Sequence, residues 1–284
     1  MEIAPLIHSR TFYHDFNQNF AVRPNDLNVQ WAMNKILPAM RDVDILNGVR
    51  RMVAFNGATG IAGVAGNFRY FVKNYLSADE QTEAEKYLTD ERGRDLKIFL
   101  GYVFKGNGVP KISYSDLWQM FKNTLAPIWK NQSVDTIIAP YQNCATKNVG
   151  GKISPIENIN GVEIFETNEN LDAEIFEKCL ADHKDFCSNV DDVRILEKGG
   201  YNVISAPQNI INRLKAEAEK KTPSMSQTSP QQSPSSQTSG QAMQARQAGT
   251  NLRPPEKKSG SISPLAICAI ILIVFMAVLL FVML

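Results

Sequence analysis

Apolar residues recur at intervals of three and four over most of residues 26–221, the spacing that lines one face of an α-helix. Leu27, Trp31 and Ile36 form one stripe behind Asp26, a helix-capping residue type, and Pro38 sets its end. Ile45, Leu46, Val49, Met52 and Val53 form a second stripe, and Ile61, Val64, Phe68, Phe71, Val72 and Tyr75 a third. Ser77-Ala78-Asp79-Glu80 has the spacing of a capping box, in which hydroxyl and carboxylate satisfy free N–H groups at a helix start. Its helix carries Ala84, Tyr87 and Leu88. Leu96, Phe99, Leu100 and Val103 predict another helix, stopped by Gly106-Asn107-Gly108. Ser115 then precedes the stripe Leu117, Trp118, Phe121, Leu125, Ile128 and Trp129.

The pattern changes after Asn131. Segments 134–139 and 161–167 read as short strands, separated by a Gly-, Pro- and Asn-rich stretch with Gly150-Gly151 and Pro155. Helical spacing returns over 171–187, with Leu171, Ile175, Cys179, His183 and Phe186 as its buried stripe. Ser205-Ala206-Pro207-Gln208 predicts a second capping box, for a final helix that is apolar only at Ile210, Ile211 and Leu214. The expectation is a mainly α fold: a helical globular head over 1–221 with a small β element and a candidate sub-boundary near 131–170.

Two segments of different character follow. Residues 222–264 are dominated by Ser, Gln, Pro, Thr and Gly and lack aromatics. Such a stretch cannot bury enough apolar surface to offset its ordering entropy, which predicts a disordered linker. Residues 265–284 carry no charge, and as a helix would rise about 30 Å, the thickness of a bilayer's hydrocarbon core. Arg253, Lys257 and Lys258 precede this segment, so the positive-inside rule predicts a single-pass tail anchor with a cytosolic head. The N-terminal stretch, interrupted by Arg10, His14 and Asp15, has no apolar run of signal-peptide length. With no basic residue after the span, an endoplasmic-reticulum, endomembrane or viral-envelope location fits better than the mitochondrial outer membrane. Facing the cytosol, Cys144, Cys179 and Cys187 stay reduced, and the Asn131-Gln132-Ser133 glycosylation match is not used. Ser229-Pro230 and Ser233-Pro234 offer sites for proline-directed phosphorylation.

Charge narrows the partners. The chain has 30 Lys+Arg and 29 Asp+Glu, but residues 222–284 hold four of the bases and one of the acids. The head therefore carries 26 basic and 28 acidic residues, which argues against a generally basic nucleic-acid-binding domain. Arg50, Arg51, Arg69, Lys73, Arg92, Arg94 and Lys97 interleave with Asp79, Glu80, Glu83, Glu85, Asp90, Glu91 and Asp95, as on a mixed, solvated helix face.

Two strings bear on chemistry. Asn56-Gly57-Ala58-Thr59-Gly60-Ile61-Ala62-Gly63 resembles the GATGxxG turn of NAD(P)-dependent short-chain dehydrogenase-like proteins. The resemblance implies that Gly57, Gly60 and Gly63 let the backbone approach a pyrophosphate at a helix N-terminus. It spans seven residues; residues 45–55 have helical rather than strand spacing, and no Tyr-x-x-x-Lys pair follows. The favoured reading of Gly60, Gly63 and Gly66 is close helix–helix packing, set against a cost of roughly 1 kcal/mol per glycine. A membrane-active role for the uncharged stretch 53–68 is the third reading.

The other string is Cys179-x-x-x-His183-x-x-x-Cys187, where i and i+4 residues could share a zinc ion. Cys179 and Cys187 would stand roughly 12 Å apart along a helix, so a site would need Cys144 or His14 as well, and core packing is favoured. No Gly-x-Ser-x-Gly elbow, Walker loop, His-Glu-x-x-His or kinase set is present. The expectation is a non-enzymatic protein without cofactor or metal. It would meet the lipid bilayer through its C-terminal helix, and its head would bind other proteins or self-associate as a scaffold. The alternatives are a viral membrane or virion protein contacting capsid or nucleoprotein, and an NAD(P)-binding enzyme.

Overall fold

The apolar runs expected as central helices are strands in the computed structural model, which describes residues 1–9, 20–41, 48–130 and 135–221. The chain begins with β1 (Glu2–Ser9), β2 (Val22–Arg23) and α1 (Val29–Ala39). A hairpin of β3 (Val49–Asn56) and β4 (Thr59–Asn67) runs into α2 (Phe68–Tyr75) and α3 (Ala78–Ala84). β5 (Lys97–Lys105) and β6 (Val109–Pro110) lead to α4 (Tyr114–Thr124). Short strands follow: β7 (Ile137–Ile138), β8 (Gln142–Asn143), β9 (Thr146–Lys147) and β10 (Glu157–Ile159), then β11 (Val162–Glu166). Helices and strands alternate to the end: α5 (Glu169–Asp182), β12 (Phe186–Cys187), α6 (Val193–Gly199), β13 (Val203–Ala206) and α7 (Gln208–Lys221).

All strands but β6 and β9 join one mixed sheet in the order β10-β11-β13-β12-β3-β4-β5-β1-β2-β7, with β8 beside β1. β3, β4, β5 and β1 are antiparallel neighbours, whereas β11, β13 and β12 run parallel. Alternate residues of each central strand enter two separate cores. Val53, Ala62, Val64, Leu100 and Phe104 pack with residues of α2, α3, α4 and α5. Met52, Ala54, Ile61, Ala65 and Phe99 pack with residues of α1, α6 and α7 on the other face. The architecture is therefore a mixed α/β sandwich of three layers, and the mainly α expectation is corrected.

The reason lies in double coverage. Strands with helices on both faces lose the polar/apolar alternation of a half-buried strand and read as continuous apolar runs. Within β4 and β5 only the end residues are partly exposed. When every position is apolar or small, the helical spacing of three and four is met by default.

Local capping signals are met in part: α1 is capped by Asn28 rather than Asp26, while the first capping box forms as expected. Ser77 and Glu80 form the capping box of α3: Ser77 N–H donates to Glu80 Oε2 at 3.0 Å, and Glu80 N–H donates to Ser77 Oγ at 3.5 Å. α4 is capped by Ser113 with Asp116, two residues before the expected Ser115. The second capping box does not form. Ser205 lies in β13, where its Oγ accepts from Asn189 N–H at 2.9 Å, and α7 starts at Gln208.

The expected linker (222–264) and membrane span (265–284) lie outside the described residues, as does Asn131-Gln132-Ser133. The expectation of a transmembrane, tail-anchored chain is not met: among the described residues no helix is long and apolar enough to cross a membrane. α5 and α7, at 14 residues each, rise only about 21 Å and carry several charges.

Gly63 of β4 faces Gly101 of β5. A Cβ on Gly63 would lie 2.6 Å from both Gly101 Cα and the Leu100 carbonyl oxygen, with the Phe99 ring 2.9 Å away. Backbone cannot yield as a side chain does. Gly63→Ala is therefore expected to destabilise the fold by about 1–3 kcal/mol, the range for overpacked cores. Urea unfolding checks this, and an unchanged midpoint would contradict the close approach.

Candidate functional site

The dehydrogenase-like string is a β-hairpin. Gly57, at φ +61°, is the first residue of the two-residue connection between Asn56 and Thr59, as in a type II′ turn. Gly60 and Gly63 lie inside β4, opposite Phe104 and Gly101, and the Phe104 ring covers Gly60. A dinucleotide site needs its glycines to lead from a strand into a helix N-terminus. Here the turn joins two antiparallel strands and the next helix begins only at Phe68, so the phosphate cradle that the resemblance implies is not formed, and the favoured helix–helix packing of Gly60, Gly63 and Gly66 is corrected to strand–strand packing within the sheet.

The Cys-His-Cys string is also taken apart. α5 ends at Asp182, and His183 is its left-handed cap, exposed and stacked on Phe55 with ring centroids 4.7 Å apart. Cys179 is buried in the core under α5, while Cys187 is buried on β12 in the core of the opposite face. Burial pushes both thiols up to about 12, which leaves them protonated and poorly nucleophilic at neutral pH. Cys144 stands apart, partly buried, and His14 lies outside the described residues. Among the described residues no three His, Cys, Asp or Glu side chains could share a metal ion.

The same small-residue strand shapes a cavity instead. Where β4 passes beneath α4 and α5, Gly63 and Val64 border a space of about 250 Å³. Val64 and Tyr102 lie in its floor, and Leu117, Ala173 and Phe176 in its walls. Glu177 also lines it and pairs with Lys147 at 2.6 Å.

Arg51 reaches the cavity from β3 with 11% of its side chain exposed. Its Nη2 donates to Glu169 Oε1 at 2.8 Å, and the guanidinium lies 5.2 Å from the Tyr114 ring centroid. Tyr75 donates its hydroxyl to the same Glu169 oxygen at 2.7 Å and packs its ring against Tyr114 at 4.2 Å. Burial raises the Tyr75 pKa strongly, helped by the Glu169 carboxylate. Burial likewise pushes Tyr114 up to about 12, against the pull of Arg51. Both phenols are therefore neutral hydrogen-bond donors, and the buried Tyr114 hydroxyl, with Arg51 beside it, donates to no group among the described residues.

The neighbouring residue points the other way. Arg50 is fully buried and donates to the carbonyls of Ala39, Arg41 and Asn189 and to the Asp191 carboxylate. The mixed, solvated face expected for Arg50 and Arg51 is thus corrected: successive strand residues face opposite sides, and each arginine is embedded with its own carboxylate. The signal was present in the doublet itself, two charges inside the apolar run 49–55.

On the Arg50 face an open groove of about 570 Å³ runs along α1 beside the end of α6. Among the described residues Met33, Asn34, Leu37 and Pro38 line it, with Arg41 and Lys198 at its rim. Leu37 is 45% exposed. Lys35, on the inner side of α1, is held by Asp185 at 2.7 Å and by the Gly199 carbonyl at the end of α6 at 2.7 Å. That anchor fixes the separation of the two helices.

No known protein family, curated protein or solved structure matches the chain.

One buried carboxylate gives a pH signature. Asp172, 6% exposed in the first turn of α5, accepts from Thr167 Oγ1 at 2.9 Å, while its other oxygen has no partner among the described residues. Desolvation raises its pKa, opposed by hydroxyl hydrogen bonds from Ser205 and Thr167. The folded state therefore holds this proton more tightly than the unfolded chain. Its contribution is fully present below the ordinary carboxylate value of about 4 and is lost as pH rises through the higher folded value. Asp172→Asn keeps a carbonyl for Thr167 and should gain stability relative to wild type as pH rises from about 4 to 7. Urea melts across that range measure the difference, and a pH-independent gap would exclude Asp172 as the titrating group.

Proposed function

We propose that residues 1–221 form a non-catalytic protein-interaction module whose α1–α6 groove takes an amphipathic, acidic partner segment. The observation that carries this reading is Leu37, exposed in an open apolar concavity rimmed by Arg41 and Lys198. The other exposed large hydrophobics among the described residues, Ile138 and Ile156, sit at or beside the outermost strands β7 and β10. Those strands have two and three residues, and so short an edge offers little to a pairing partner. The groove favours a helix or turn with one apolar anchor. Burying Leu37 and its counterpart would contribute about 1.5–3 kcal/mol per side chain, and flanking carboxylates would meet Lys198 and Arg41.

Leu37→Glu and Lys198→Glu in the full chain test the reading, with crosslinking mass spectrometry in native cells. Wild type should give crosslinks from Lys198 to an acidic partner segment. Leu37→Glu should lose them, and Lys198→Glu, which removes that amine, should lose crosslinks from the chain's other lysines to the same segment, while both unfold within about 0.5 kcal/mol of wild type, as for surface substitutions. Unchanged crosslinks in Leu37→Glu would overturn the groove as the docking site. Crosslinks only between copies of this chain through Lys198 would replace the foreign partner with self-assembly.

A further inference from the structure

We infer that the cavity under α4 and α5 is a binding site for a small monocarboxylic acid with a compact apolar body, its carboxylate held by Arg51 and Tyr114. The reading is independent of the α1–α6 groove, which lies on the opposite face of the sheet. Size comes first. A volume of about 250 Å³ equals roughly eight waters at about 30 Å³ each, room for one ring or branched chain and its acid group.

Wall chemistry comes next. Val64, Leu117, Phe176 and the Tyr102 ring offer an apolar body dispersion contacts and release of water. Ala173, on the first half of α5, is the wall residue whose small side chain keeps the space open.

The polar end selects charge. A guanidinium has five N–H donors in a fixed fork, and Glu169 engages Arg51 through Nη2 alone. Glu169 is 53% exposed and therefore screened by water, whereas Arg51 is 11% exposed and lines the cavity. The Tyr114 hydroxyl, beside Arg51, adds a buried O–H that donates to no group among the described residues. A carboxylate placed there receives charge-assisted hydrogen bonds from Arg51 and one from the phenol. A second negative group on the same ligand would meet Glu177. Phosphate esters and dicarboxylates are disfavoured for that reason.

Isothermal titration of the full chain with phenylacetate, indole-3-acetate and 4-methylpentanoate tests the site, with phenylacetamide and phenyl phosphate as the neutral and doubly charged analogues. At least one acid should bind, with the amide and the phosphate weaker by about tenfold or more. Ala173→Leu, which fills the cavity, should abolish binding without lowering the melting temperature. Arg51→Met should weaken it by about tenfold or more, the loss expected for charge-assisted hydrogen bonds. Leu37→Glu should leave it unchanged, which separates this site from the groove. Failure of all three acids at millimolar concentration, equal binding of acid and amide, or retained binding in Ala173→Leu would each overturn the assignment.

Discussion

β3, β4 and β5 present no face to water. Each side of these strands must be covered by helices, and each polar group they carry must find its partner inside. A few hundred Å² of apolar surface per face, at about 25 cal/mol per Å², is worth several kcal/mol, and neither helical layer alone could secure it. α2, α3, α4 and α5 gather on one side and α1, α6 and α7 on the other. α5 and α6 take opposite faces as the chain passes from β11 to β12 and returns to β13 between them. The aromatic packing of Phe68, Trp118 and Phe121 and the tethering of α1 by Lys35 serve the same requirement.

That constraint also decided what could be read from the chain. Ser77 and Glu80 report a helix start through two hydrogen bonds that depend on nothing distant, so their reading survived contact with the structure. Val49–Val53, Ile61–Val64 and Leu96–Val103 report only that they are buried, and burial on two faces looks alike in a helix and in a central strand. The turn at Gly57 carries the missing information: a glycine leading a two-residue connection between two apolar runs is a hairpin signal, and the same residues also match a phosphate-binding loop.

The candidate site was less accessible still. Arg51, Tyr75, Tyr114 and Glu169 are dispersed over 119 positions and meet only because β3 lies beneath α2, α4 and the start of α5. Nothing local marks Tyr114 as a neighbour of Tyr75. The residues that did stand out locally were separated: Cys179 and Cys187 entered cores on opposite faces, and His183 turned outward at a helix cap. Spacing that is suggestive on one helix loses its meaning once the helix ends between the residues.

The arginine doublet of β3 acts on the folding reaction itself. A strand shifted by one residue against β4 or β12 would deliver its side chains to the wrong faces. In this strand a shift in either direction puts Val49 or Met52 where a guanidinium belongs and leaves Asp191 or Glu169 facing an apolar chain. An arginine would meanwhile be thrust into a site built for valine or methionine. An unpaired charge in either core costs far more than an ordinary mispacked contact. Two adjacent, oppositely directed cations therefore work as a proofreading device for strand alignment. They give a sheet whose centre is otherwise uniform in polarity one correct way to zip.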